Sequence, residues 1–445
     1  MIASDWAQAS APQEYLLPAD RNDLVGRYTP DRPSLQFATL LDYLDEYEAD
    51  RVYVESPYVD FDYRAEYSHL YARGFNPPPD KCERLLFFKE GEFLGFCVVR
   101  PTYKPVGRTA VRPPASLEPY VTCKAPHVVR PYGLRFEVDA WPFVSQDGVY
   151  GRCAHAAIWA ISRYHHLQHG GPKHSLAGIV QAAGTPVATD KTSRSAGLYL
   201  HEVADAFSRL GLPTIPYQPN NTLDLEATLC RYLNSGLPIA LMTPGHLTAL
   251  IGYGYENGEL FFVQSDDNYG AYQRDTIRLS GKDAWTMLLV PMPARILVPG
   301  AAAEIKARLV FAEQAGATEA TEPTLDALTA EKFQYRTYAV DAAKYKADLQ
   351  DRRPGDDVVN HHRRVPASVW VWVTEFQLRD TDGKCRVVGE VAIDATSDPR
   401  DPQPLFVNLP GRVVSWLPGQ STPQAKAVTT VDLYDSALKF RGSPE

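Results

Sequence analysis

Apolar residues recur at helical spacing in LQFATLLDYLDEY (35–47), with Leu35, Phe37, Leu40, Leu41 and Leu44 on one side, and the spacing predicts a helix. RVYVESPYV (51–59) then reads as a strand. ERLLFFKEGEFLGFCVVRP (83–101) reads as a hairpin turning on Lys89-Glu90-Gly91-Glu92. Residues 1–30 are polar and proline-bearing and read as a loose arm. Residues 101–135 are proline-rich without a clear period and read as a connector.

From residue 136 the pattern changes. A helix is expected from Cys153 to about Gln168, stopped by Gly170-Gly171-Pro172. Two more are expected over 197–210 and 223–235. Strands follow: LPIALMT, HLTALIGYGY and ELFFVQS, the last two joined by Glu256-Asn257-Gly258-Glu259, where Asn-Gly accepts the positive φ of a tight turn. Helices first and antiparallel strands afterwards is an α+β order. Beyond residue 300 an alanine- and glutamate-rich stretch marks a boundary. VWVWVTEFQL and RVVGEVAID then predict a hairpin around Thr381-Asp382-Gly383-Lys384, and GRVVSWL a further strand. The expected organisation is a central α+β domain (136–297) between two smaller α+β domains, 1–135 and a β-rich 298–445.

Composition narrows the function classes. Hydrophobic residues make up 44% of the 445 and charged residues 22%, which argues for a folded chain. A net charge of −9 supplies no basic field for nucleic acid. The densest basic run, His361-His362-Arg363-Arg364, follows Asp356 and Asp357 and reads as a solvated loop. The cysteines at 82, 97, 123, 153, 230 and 385 form no close pair, so neither a zinc ribbon nor a redox motif is expected. MIASDWAQAS has no basic head or apolar core, and no apolar run is long enough for a membrane span. A cytoplasmic protein with a free Cys153 thiol and no membrane association fits these features.

The candidate chemistry lies in two stretches, PFVSQDGVYGRCAHAAIWAIS (142–162) and GHLTALIGYGYENGELFFVQSDDNYG (245–270). Cys153 follows a glycine-bearing loop and opens a helix, where unpaired backbone N–H groups favour thiolate, the nucleophilic form. Ala154, Ala156 and Ala157 allow that helix close packing. His246 stands at the mouth of an apolar strand, placed as a general base. The strand after the Asn-Gly turn returns to Asp266-Asp267, where a carboxylate can orient the imidazole. Alternation along a strand lets one of the two face the ring; Asp266 is preferred and Asp267 is the alternative. Gln146, seven positions before Cys153, is the candidate oxyanion donor together with the Cys153 backbone N–H.

These stretches resemble the signature regions of papain-like cysteine peptidases, most of all the bacterial branch related to bacteriocin-leader peptidases, whose third member is Asp. The resemblance spans about a third of the chain and implies Cys153 as nucleophile, His246 as base, Asp266 or Asp267 as orienter and Gln146 as oxyanion donor. It departs in a Gln-to-Cys gap one residue longer than that of papain and in Arg152 and Ala154 beside the cysteine. The function it implies is hydrolysis of a peptide or isopeptide bond in a protein or peptide substrate, with no cofactor and no metal. The flanking regions would select substrate or bind a regulatory partner. The same residues would serve a transglutaminase-like acyl transferase, and the scaffold could instead be an inactive binding module.

Two other clusters carry weaker chemistry. His165 and His169 could pair on a helix face as metal ligands, but a solvated helix end accounts for them more simply. Glu55, Asp60, Asp62 and Glu66 could do acid–base work; the aromatic spacing between them favours a half-buried edge with charges outward. Arg100 and Arg108 could clamp an anionic partner or pair with these acids.

Overall fold

The structure is a computed structural model. It describes residues 13–17, 19–29, 34–146, 153–184, 198–218, 224–275, 286–316, 334–352, 354–379, 385–417, 422–429 and 434–438. The expected turn at 381–384 and the loop 147–152 before Cys153 lie outside the described residues. Among those described, helices mix with antiparallel sheets, so the chain is α+β. It divides into two compact units: 13–218 with 238–293, and 224–237 with 294–438.

The first unit opens with β1 (Gln13–Leu16), α1 (Arg21–Tyr28), α2 (Leu35–Glu46), β2 (Arg51–Tyr58), α3 (Phe61–His69), β3 (Cys82–Lys89), β4 (Glu92–Val99) and β5 (Val106–Val111). The five strands form one antiparallel sheet in sequence order. Gln13–Leu16 and Arg21–Tyr28 are thus an edge strand and a helix rather than parts of a loose arm. Likewise 101–135 is more than a connector: it holds β5 and β6 (Ala125–Val129), which pairs with β7 (Phe136–Ala140). Ser34 caps α2, its hydroxyl accepting from Phe37 N at 3.3 Å, and the apolar stripe of Phe37, Leu40, Leu41 and Leu44 is buried.

The acidic stretch 55–66 departs most from expectation. Asp60 caps α3, accepting from Asp62 N at 3.0 Å and Tyr63 N at 3.1 Å. The chain therefore turns into a helix, and Asp60, Asp62 and Glu66 point inward rather than out. Each meets an arginine: Arg108 Nε lies 2.9 Å from Asp60, Arg163 Nη2 3.2 Å from Asp62 and Arg100 Nη1 3.5 Å from Glu66.

The rest of this unit carries α4 (Cys153–His169), α5 (Leu176–Ala182), α6 (Leu200–Arg209) and a sheet of β8 (Thr214–Tyr217), β9 (Ile239–Thr243), β10 (His246–Glu256), β11 (Glu259–Asp266), β12 (Gly270–Asp275) and β13 (Met287–Pro291). Its order is β12-β11-β10-β9-β13-β8. The Asn-Gly turn forms as the sequence requires, with Asn257 at φ 52° and Gly258 at φ 78°. Residues 154–165 of α4 are buried on every face. His165 is therefore not on a solvated helix end. It is enclosed, and burial pushes its pKa down to about 3.

No seam divides this unit at residue 135, where the sequence suggested a domain boundary. Trp159 Nε1 of α4 donates to Asp62 of α3 at 2.9 Å, and Trp141 N donates to the Tyr272 hydroxyl at 2.9 Å. The chain at 121–123 docks on β10, with Thr122 N and Cys123 N both 3.0 Å from Ile251 O. Gly252 admits this approach, since a Cβ there would lie 2.2 Å from Tyr120 O.

The second unit contains α7 (Leu225–Asn234), α8 (Gly300–Gln314), helices over Ala342–Arg352 and Asp356–Arg364, and a sheet of β14 (Gln334–Asp341), β15 (Trp370–Arg379), β16 (Cys385–Asp394), β17 (Pro404–Leu409), β18 (Arg412–Ser415) and β19 (Gln424–Ala427) in sequence order. His361 to Arg364 close a helix instead of lying in a loop. His362 is buried, and desolvation pushes its pKa down to about 3. Arg352 sits between two buried carboxylates, 2.9 Å from Glu375 and 2.7 Å from Glu390. No described helix is long and apolar enough to cross a membrane.

Candidate active site

Three elements of the first unit bring the candidate residues together. Cys153 opens α4 and is half-buried. His246 begins β10, directly after Pro244 and Gly245, the latter at φ 77°. Asp266 ends β11. β10 and β11 pair antiparallel with Ala249 opposite Ser265. Just beyond that pair, the acidic end of β11 comes alongside the histidine that opens β10.

His246 Nε2 lies 3.0 Å from Asp266 Oδ2. The Cys153 thiol hydrogen-bonds the same imidazole. The hydrogen bond to Asp266 and, second to it, the contact with Cys153 outweigh partial burial and push the His246 pKa up to about 10. The protonated form of the ring is thus favoured between the Asp266 carboxylate and the Cys153 sulfur.

The two aspartates are not an either-or pair. Alternation applies within β11, which ends at Asp266; Asp267 already belongs to the turn. Its Oδ1 is 4.0 Å from His246 Nε2, so both carboxylates face the ring. Asp267 is 5% exposed, and burial pushes its pKa up to about 6. Neither of its side-chain oxygens accepts a hydrogen bond from another residue; beyond burial and neighbouring charges, only its own backbone acts on it.

Gln146 reaches the cluster through a residue that sequence reasoning missed. Its Nε2 donates to Asn268 Oδ1 at 2.9 Å, and Asn268 Nδ2 is 3.5 Å from His246 Nε2. Asn268 N also donates to Asp266 Oδ1 at 2.8 Å, which fixes the carboxylate. Extending the hairpin register from Glu256–Glu259 would have pointed to Tyr269 instead; a bulge between Leu250 and Gly252 shifts the pairing by one residue, which the sequence does not announce.

Two supports come from far along the chain and leave no local signal. Gln36 Nε2 of α2 donates to the backbone oxygen of Asp267 at 3.0 Å. Arg100 Nη2 donates to Ser145 O at 2.9 Å, which fixes the chain next to Gln146. The arrangement can hold a sulfur nucleophile, an imidazole able to carry its proton and an oriented acid together, the parts of a nucleophile–base–orienter relay. No protein-family model matches this chain, and no curated protein sequence does.

Proposed function

We propose that the chain is a thiol hydrolase of papain-like construction that cleaves a peptide or isopeptide bond in a protein substrate. One observation carries this reading: the His246 ring joins the Cys153 thiol at the start of a buried helix to the Asp266 carboxylate. With Nε2 turned to Asp266, the nitrogen free for the thiol is Nδ1. The Cys153 proton rests on the imidazole, and the thiolate attacks the substrate carbonyl carbon. The imidazolium then gives its proton to the departing amine as the C–N bond breaks, leaving a thioester. Water, deprotonated by the neutral imidazole, attacks the thioester and releases the carboxylic acid and the thiolate. Gln146 Nε2 and the Cys153 backbone N–H are the donors offered to the oxyanion, in a role that typically lowers the barrier by ~2.7–4 kcal/mol per donor.

Iodoacetamide tests the site directly. Cys153 is expected to react at neutral pH ahead of the other cysteines, and His246→Ala is expected to abolish that selectivity. Labelling of Cys153 no faster than of Cys230, which is also half-buried, would overturn the proposal. N-terminal labelling of proteins from cells expressing wild type or Cys153→Ala then reads out the cleaved bonds.

A further inference from the structure

The Asp267 carboxylate has no task in the relay, yet it is buried, faces His246 and accepts no hydrogen bond from any other residue. Its own backbone oxygen is tied to Gln36, so the side chain is presented from a fixed point. Lys104 acts on it through charge alone. An ionised group so enclosed ordinarily gains a cation or hydrogen-bond donors. The ligand atoms of His246, Asp266 and Asp267 all lie within 4.8 Å of one another. This is the one such group of three among the described residues. The two carboxylates stand 3.0 and 4.0 Å from Nε2. A tetrahedral zinc with bonds of ~2.0–2.2 Å asks for ligand atoms about 3.3–3.6 Å apart, so the spacing needs only small side-chain adjustment.

We propose that His246 Nε2, Asp266 and Asp267 form a binding site for a divalent transition metal, with zinc the best-matched ion and water in the fourth position. An imidazole nitrogen with two carboxylates favours zinc over magnesium, which prefers an octahedron of oxygens. The thiol is not counted as a ligand, because the group of mutually close ligand atoms comprises His246, Asp266 and Asp267 and does not include Cys153. Metal on Nε2 replaces the hydrogen bond to Asp266. The zinc-bound form and the relay geometry therefore exclude each other. If the hydrolase reading holds, zinc is a reversible off-switch; the site itself does not rest on that reading.

Competition against a chromophoric chelator, with the full chain and zinc as the probe, tests the site. One equivalent is expected to bind, magnesium is expected not to compete, and Asp267→Asn or His246→Ala is expected to weaken binding by about tenfold or more. Cys153→Ala is expected to leave affinity unchanged. Cobalt loaded in place of zinc is expected to give visible d–d bands without a near-ultraviolet thiolate-to-cobalt band. Equal affinity in wild type and Asp267→Asn, loss of binding in Cys153→Ala, or a thiolate band would overturn the proposal. Circular dichroism of each variant separates lost ligation from lost fold. Unselective iodoacetamide labelling with zinc binding intact would remove the hydrolase and leave the metal site.

Discussion

At the residue scale, the charge state of His246 sets the pH behaviour. Its pKa is raised to about 10, from an ordinary 6.5, by Asp266 and Cys153. Cleavage needs a protonated ring to release the amine, so turnover of a peptide substrate is expected to fall as pH rises through about 10. Alkylation needs only thiolate and is expected not to fall there; measuring both rates from pH 7 to 11 checks the difference. Asp267 behaves oppositely to a salt-bridged acid. Its folded pKa of about 6 exceeds the ordinary 3.8, so the folded state holds the proton more tightly and stability declines as pH rises across that window. Asp267→Asn removes the ionised form and, in the presence of a chelator, is expected to stabilise the chain by roughly 1–3 kcal/mol at pH 8 and little at pH 4. Thermal denaturation at the two pH values reads this directly. That Cys153, His246 and Asp266 come together was legible because the helix start, the strand mouth and the Asn-Gly turn fix their spacing; Gln146 reaches His246 only through Asn268. Asn268 was hidden because its contacts depend on register.

At the element scale, β10 carries the site and depends on a close approach at its middle. A Cβ at position 252 would lie 2.2 Å from Tyr120 O and 2.8 Å from Val121 Cα, both backbone atoms that cannot swing aside. Gly252→Ala is expected to cost about 1–3 kcal/mol or more in denaturant unfolding. Gly171→Ala, with nothing within 4 Å of the added methyl, is expected to be close to neutral. Helices and strands with strong periodicity were readable within a residue or two, as α2 and β10 illustrate. The failures have a common cause. At 60–66 the aromatic spacing suggested an edge with its charges outward, but the Asp60 cap turns the chain into α3 and its acids face inward. At 361–364 polarity suggested a loop, although His362 is buried by its helix. Local polarity was a poor guide where a distant partner neutralises the charge.

At the scale of the whole molecule, the residues before 135 share a unit with the site rather than standing beside it. Composition cannot reveal such a join, because Gln36 with Asp267 and Asp62 with Trp159 are far apart in the chain and unremarkable in type. A fragment beginning at residue 136 loses the partners of Trp159, Arg163 and the Asp267 carbonyl. Leaving buried polar groups unpaired costs about 1–3 kcal/mol each, comparable with the whole margin of a folded domain when several are lost together. The fragment 136–297 is therefore expected to be insoluble or unfolded by circular dichroism, whereas the full chain is folded. A compact soluble fragment would show that the two halves are separable.

The grip of Asp62 on both Trp159 and Arg163 also bears on how such a chain can change over generations. A lineage cannot trade away the α3 acid without answering at two positions a hundred residues later, and a recombination crossover between them would hand the thiol helix to a stranger. The opening third and the cysteine helix are expected to tolerate exchange between chains only when they move together.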